Sequence, residues 1–128
     1  MSISNYLEDA ILNYCLLNST AGFTPIAAVY GSLHTADPGE TGTNAPLASC
    51  ARQAIVFNAA ASATAVNATT VTFACSATGT VSHLGLWDGS ATDTANHLWS
   101  GALATAKVVA NVGDSVAFAS GAIAVSLA

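Results

Sequence analysis

The segment SLHTADPGETGTNAP, residues 32–46, gathers residue types that often do chemistry, in a chain with few other charges. His34, Asp37 and Glu40 stand close together in it, and such a group could act as an acid–base pair or bind a metal ion. No second histidine stands at ligand spacing beside His34. The residue types alone therefore raise the possibility of a site without defining one.

The run Asp37-Pro38-Gly39-Glu40 has a simpler structural interpretation. Pro38 presets φ at the second position of a type II turn, and Gly39 tolerates the positive φ required at the third. Asp37 can accept backbone N–H bonds at the start of such a turn. We therefore predict that these four residues form a structural turn that shapes a longer loop.

A cysteine nucleophile would need a base, and Cys50 with His34 or His83 is the pair that the sequence offers. No strand-to-helix elbow surrounds Cys50, and no helix follows to lower its pKa. The chain also lacks a G-x-S-x-G motif, a phosphate-binding glycine loop and an HExxH motif. We expect no enzymatic activity, no catalytic residue, no cofactor and no metal ion, and we interpret His34, His83 and His97 as half-buried hydrogen-bonding residues.

Three cysteines, Cys15, Cys50 and Cys75, occur without CxxC or CxxH spacing. Buried free thiols are the expected state in a reducing cell. A Cys50–Cys75 disulfide, or a bridge between subunits, is the alternative.

Arg52 is one of only two basic residues, and it begins a predicted strand just after the loop that contains Asp37 and Glu40, which we call the acidic loop. We expect its guanidinium to pair with Asp37, Glu40 or carbonyl groups of that loop, and so to attach the loop to the sheet.

The composition indicates a surface that is poor in charge. Hydrophobic residues make up 52% of the 128 residues and charged residues only 7%, against about 25% charged in an average soluble domain. Residues 53–87 contain no Asp, Glu, Lys or Arg. Because a free monomer usually depends on surface charge for solubility, we expect this chain to associate with copies of itself or with a larger partner. The alternative is a secreted domain rich in Thr and Ser that tolerates few charges.

The net charge of −5, with two basic residues in all, argues against nucleic acid and anionic membrane surfaces as partners. No apolar run approaches the ~20 residues that span a bilayer. The N-terminal sequence MSISNYLEDA has no basic region and carries two early acids, so we expect no signal peptide and assembly in a cytoplasm.

One helix is predicted at the N-terminus, over residues 4–18. Asn5 followed by Glu8 is a capping-box pattern, with Ser4 as an alternative cap. An apolar stripe then recurs at helical spacing and is formed by Leu7, Ala10, Ile11, Tyr14 and Cys15. We expect Asn18, Ser19 and Gly22 to end the helix.

The remainder, residues 24–128, reads as short strands separated by turn signals such as Asn67, Gly79 and DGSATD. The strand runs are PIAAVYGSL, ARQAIVFN, TTVTFACS, TVSHLGLWD, NHLWSGALA, KVVANV, SVAFA and AIAVSL. Their even spacing predicts an all-β, antiparallel β-sandwich or jelly-roll-like fold, with a short N-terminal α-helix and a single domain over residues 1–128.

Several segments, taken in order along almost the whole chain, resemble a family of small tailed-bacteriophage virion proteins that are commonly labelled tail-fibre proteins. The matching segments are NYLEDAIL in the helix, LHTADPGETG, ARQAIVF, VTF, VSHLGLWD, LWSGAL and the ending VGD…GAIAVSL. This chain differs from the family in having Cys50 where an aromatic residue or Gly is usual, and Cys75 where Pro is common.

The resemblance implies a virion structural protein without catalytic residues. We expect a capsid decoration or cement protein that forms homotrimers and bridges subunits of the major capsid protein. The first alternative is a tail-fibre, baseplate or other tail component, with other virion proteins as partners. A more distant alternative is a carbohydrate-binding β-sandwich in which Trp87 and Trp99 stack on sugars rather than pack in the core.

Overall fold

The computed structural model describes residues 2–17 and 25–127. It confirms the predicted fold class, because antiparallel strands dominate, one short helix precedes most of them, and all of them form a single small domain. Helix α1 spans Asn5–Leu16. The strands are β1 (Ser2–Ile3), β2 (Val29–His34), β3 (Gln53–Ile55), β4 (Thr64–Val66), β5 (Val71–Ala74), β6 (Gly79–Trp87), β7 (His97–Val109), β8 (Ser115–Phe118) and β9 (Ala124–Ser126).

The strands form one larger sheet and two ribbons, all antiparallel. The larger sheet has the order β1-β7-β6-β2-β3, and the ribbons pair β4 with β9 and β5 with β8. In the centre of the larger sheet, Ser32 lies opposite Gly85 and His34 lies opposite His83. This register decides which side chains of β2 and β6 share a face.

The hydrophobic core lies between the larger sheet and the two ribbons. Side chains alternate along β5, as the sequence TTVTFACS indicates, because Val71 and Phe73 are buried whereas Thr72 and Ala74 are exposed. Each fully buried Leu or Phe side chain stabilises the fold by about 1.5–3 kcal/mol. The sheet contributes Leu33, Ile55, Leu84, Leu86 and Leu98, and the ribbons contribute Val71, Phe73, Val116, Phe118 and Val125.

Helix α1 packs on β7 through only part of the predicted stripe. Ser4 caps it, since its Oγ accepts the backbone N–H of Leu7, so the alternative cap is the one used. Leu7 and Ala10 are buried. Tyr14 and Cys15 are exposed, contrary to the stripe prediction, because only the first half of the helix has buried side chains against the sheet.

The predicted helix end at Asn18, Ser19 and Gly22 lies outside the described residues, as do the predicted boundaries at residues 18 and 24. Within the described ranges, no helix is long and apolar enough to span a membrane.

A bulge changes two strand predictions. Strict alternation along TVSHLGLWD would place Val81 and His83 on one face of β6 and Leu84 and Leu86 on the other, but Val81 packs in the core with both leucines. The register shifts between Val81 and His83, where only Ser82 intervenes on β6 while residues 103–106 intervene on β7. The predicted runs NHLWSGALA and KVVANV are accordingly one bulged strand, β7, rather than two.

Cys50 and Cys75 form a disulfide, so the expectation of free thiols does not hold for them. The bond joins the segment before β3 to the end of β5, and backbone N–H of Ser76 donates to the carbonyl of Ser49 beside it. The larger sheet and the β5–β8 ribbon are therefore linked covalently. Cys15 is a free, exposed thiol.

We predict that the Cys50→Ala/Cys75→Ala double variant loses about 3 kcal/mol of unfolding free energy, because a disulfide between residues 25 apart restricts the unfolded chain. Urea unfolding of the variant and of the oxidised wild type measures this loss, and the wild type in the presence of reductant should show a similar one. Cys15→Ser is the matched control and should change stability by less than about 0.5 kcal/mol. Equal urea midpoints for oxidised and reduced protein would contradict the prediction.

Candidate functional site

A chain of hydrogen bonds lies on the face of the larger sheet that is opposite to the core. Trp87 Nε1–H donates to Ser32 Oγ at 2.7 Å, and Ser32 Oγ lies 2.7 Å from His34 Nε2. His34 Nδ1 lies 2.8 Å from the carbonyl oxygen of Asn44. Because that carbonyl can only accept, Nδ1 carries the proton, and Ser32 therefore donates its hydroxyl proton to Nε2. Each donor in the chain thus has one acceptor.

His34 is held in its neutral form by this environment. Burial lowers the pKa of His34 below its ordinary value of 6.5, against the opposing effect of the hydrogen bond to Asn44. The nearby His97, Arg52 and His83 lower the pKa further through their charges. A protonated ring would also need an acceptor at Nε2, where Ser32 now donates.

His97 holds the same loop at a second point. Its Nδ1 lies 3.0 Å from the carbonyl oxygen of Glu40, and its ring is tilted against Trp87 with the centroids 5.0 Å apart. Gly42 lies directly over both rings: a Cβ added there would come within 2.6 Å of His97 and 2.7 Å of Trp87. The loop therefore approaches the sheet more closely than any side chain at position 42 would allow.

The acidic loop is shaped by its own turn. Gly39 has a φ of +71°, and its N–H donates to Asp37 Oδ1 at 2.9 Å. Pro38 is buried, and its carbonyl accepts the N–H of Asn44 across the loop. In this arrangement the histidines bind loop carbonyl groups, and Asp37 serves the turn. The structure therefore does not bring His34 together with Asp37 or Glu40 as an acid–base cluster.

Arg52 attaches a different loop from the one we expected. Its Nη1 donates to the carbonyl oxygens of Ala91 at 2.6 Å and Gly89 at 3.4 Å, both in the β6–β7 loop. The guanidinium also stacks on Trp87, 3.6 Å from the ring centroid. Pairing with Asp37, Glu40 or carbonyls of their loop was therefore a wrong expectation, although pairing with loop carbonyl groups was right in kind.

A cleft of about 360 Å³ opens beside this network. Its walls include His34, Thr43, Leu47, Arg52 and Trp87. Across residues 2–17 and 25–127, no group of three or more His, Cys, Asp or Glu side chains is placed to hold a metal ion. The two histidines and Arg52 thus hold the acidic loop and the β6–β7 loop against the larger sheet, and an open cleft lies beside the Arg52 guanidinium.

The tryptophans do not form the sugar platform considered above. Trp87 is 4% exposed and lies beneath Arg52, and Trp99 is partly buried against the core. Trp87 therefore offers no open ring face for stacking.

Ser32, Gly42 and Asn44 are the members of the network that sequence reasoning missed. His34 and His97 form hydrogen bonds as predicted, but both are buried rather than half-buried. A usable signal was present for Ser32, since it stands two residues before His34 and so shares a strand face with it. The parts played by Asn44 and Gly42 depend on how the loop folds back, which no local pattern encodes.

The fold and the network define a small β-rich domain whose polar side chains hold loops in place. The chain belongs to the family described as "Podophage GP4 fiber I protein gp80", whose family model matches residues 2–126. It is thus a member of a phage fibre protein family, which agrees with the expected virion structural class. A search of curated proteins found no match.

We predict that acid destabilises this protein through His34. Its folded-state pKa lies below the ordinary value, so as the pH falls below 6.5 the unfolded chain takes up a proton that the folded chain refuses. Stability should therefore be constant above this range and fall below it, by at most about 1.4 kcal/mol per pH unit.

Urea unfolding at several pH values from about 7.5 to about 5.5 measures the slope of the unfolding free energy against pH, because most carboxylates titrate below this range. His34→Gln should be less stable but should lose the slope, whereas His83→Gln should retain it. A His34→Gln protein with the wild-type slope would show that another group is responsible.

Gly42→Ala should lower the unfolding free energy by about 3 kcal/mol, because it combines an unfavourable positive φ with a clash against the two rings. Gly121→Ala is the matched control: its φ of +78° is similar to the +71° of Gly42, but nothing lies within 4 Å of the added Cβ. The control should cost about 1 kcal/mol. Equal losses in the two variants would mean that close packing at Gly42 contributes nothing.

Proposed function

We propose that this protein is a non-enzymatic structural component of a podophage fibre, built to associate with copies of itself and with other virion proteins. The observation that carries the proposal is the match of residues 2–126 to the fibre family. That match favours the tail-fibre alternative over the capsid-decoration role that we expected first. The disulfide-linked fold suits a component that works outside the cell, where disulfides persist.

The distribution of charge supports assembly through the ribbons. We call the face of the larger sheet that is opposite to the core the outer face. Six of the seven acids lie on α1 or in the β2–β3 and β6–β7 loops beside this face: Glu8, Asp9, Asp37, Glu40, Asp88 and Asp93. The outward side chains of the β5–β8 ribbon are instead small and uncharged, for example Thr72, Ala74 and Ala117. An uncharged face loses little hydration when another protein covers it, so this is the face we assign to contacts between copies.

The hydrogen-bond network suits a mechanical role better than a chemical one. Trp87, Ser32 and His34 use their polar atoms to hold each other and the loop. Both ring nitrogens of His34 are engaged in this way, so His34 has no free nitrogen to direct at a substrate. We therefore propose that the network fixes the shape of the loop-covered face while the ribbons make the contacts, with a homotrimer as the expected state.

We predict that antibodies against this protein label fibres, rather than the head shell, in electron micrographs of purified particles. Quantitative mass spectrometry should give a few to tens of copies per particle. Uniform labelling of the head with hundreds of copies would support the capsid-decoration role instead. Absence of the protein from particles would exclude both the fibre role and the decoration role.

The purified protein should behave as a trimer in light scattering, and high salt should leave its mass unchanged because few charges are available. Ala117→Lys places a charge on the ribbon face and should shift the mass toward the monomer. Thr94→Lys, on the exposed β6–β7 loop, is the matched control and should remain a trimer. A monomeric wild-type protein would contradict the assembly part of the proposal and leave the fibre location to the labelling experiment.

A further inference from the structure

Arg52 is a partly buried cation without a contacting counter-ion among the described residues. Its Nη1 donates to carbonyl oxygens, whereas Nη2 and Nε have no acceptor within residues 2–17 and 25–127. Asp88 is the acid whose charge acts on Arg52, but its two carboxylate oxygens accept from the backbone N–H and the side chain of Asn96, each at 2.7 Å. Among the described residues Nη2 and Nε are not buried unpartnered atoms, so they are open to solvent and accessible to an anionic partner.

Electrostatics and burial act on Arg52 in opposite directions. Burial lowers the pKa of its guanidinium, and the negative charge of Asp88 raises it without an ion-pair contact. The guanidinium nevertheless stays charged, because an arginine side chain keeps its proton throughout the usable pH range. A positive charge is therefore held in place at the edge of the cleft.

The cleft beside Arg52 has the size and the walls of a small-molecule site. Its volume is about 360 Å³, within the range of ligand pockets. Arg52 is the only Asp, Glu, Lys or Arg among its lining residues. The other walls are largely apolar and include Leu33, Pro46, Leu47 and Ala48, with Thr43 and Thr92 as hydroxyl groups at the rim.

We propose that this cleft binds a small molecule that carries a carboxylate group. The Nη2 and Nε edge of Arg52 forms the planar pair of donors that a carboxylate accepts in bidentate fashion. The apolar walls then hold the body of the ligand. A phosphate group fits less well, because its second negative charge would face a site with one cation and few further donors.

This binding site does not depend on the fibre assignment. It follows from the unpaired guanidinium edge and the cleft, so it can fail while the fibre proposal stands, and the reverse also holds. The binding experiment uses the isolated protein, whereas the fibre proposal is tested on particles.

The test is a titration followed by nuclear magnetic resonance of the Arg52 Nε–H and Trp87 Nε1–H signals. Benzoate and galacturonate serve as carboxylate probes with an apolar and a polar body, and benzamide and galactose are their neutral counterparts. At least one carboxylate should cause saturable shifts with a dissociation constant on the order of 1 mM. The neutral counterparts should bind at least about tenfold more weakly.

Two variants separate the ligand site from the stability of the fold. Arg52→Lys keeps a positive charge but loses the planar pair of donors, and it should weaken binding about tenfold. Ala48→Phe leaves Arg52 intact and fills the cleft, so it should abolish the ligand-induced shifts while the variant keeps the wild-type urea midpoint. Lys107→Gln removes the other cation of the chain and should bind like the wild type, as should Ala104→Phe on β7.

Every other result counts against the proposal. Equal binding of inorganic phosphate would show a general anion site, and equal binding of the neutral probes would show that the charge is not used. Shifts that appear only as the protein concentration rises would mean that a second copy occupies the cleft. Unshifted signals with both carboxylates at about 20 mM would overturn the site altogether.

Discussion

The hydrogen-bond chain from Trp87 through Ser32 and His34 to Asn44 is the interaction on which the outer face of the sheet depends. Buried polar groups are costly unless each one finds a partner. The last donor, His34 Nδ1, finds its acceptor only in the backbone of the loop. The loop must therefore lie flat on the sheet, and once there it keeps water away from the bonds that hold it.

That constraint divides the surface of the molecule into two kinds. The outer face is covered by the chain's own loops, and these loops also carry most of its acidic residues. The ribbons carry small uncharged side chains such as Thr72 and Ala117 toward the outside. In the proposed fibre role, the loop-covered surface would keep its shape while the ribbon surface is covered during assembly.

Sequence patterns predicted the elements whose side chains alternate without interruption, and β5 is the clearest case. They missed β4, because the hairpin before it turns through Ser62 and Ala63, both at positive φ, where Asn-Gly would be the usual signal. They also placed Val81 on the wrong face, since a bulge breaks the period of two and leaves no mark in residue type. Periodicity therefore predicts a strand well until the backbone departs from ideal geometry.

Arg52 shows why the candidate site was only half predictable. The sequence shows that a scarce cation needs partners and that an acidic loop lies near it along the chain, but nearness along the chain does not determine which loop reaches the guanidinium. In the fold, carbonyl groups of the β6–β7 loop accept the hydrogen bonds of Arg52, whereas the carboxylate of Asp88 in that loop accepts hydrogen bonds from Asn96. The cation is consequently left with carbonyl groups, an aromatic face and an unused edge. The carboxylate ligand that we propose would bind this edge and supply the counter-charge that neither loop provides.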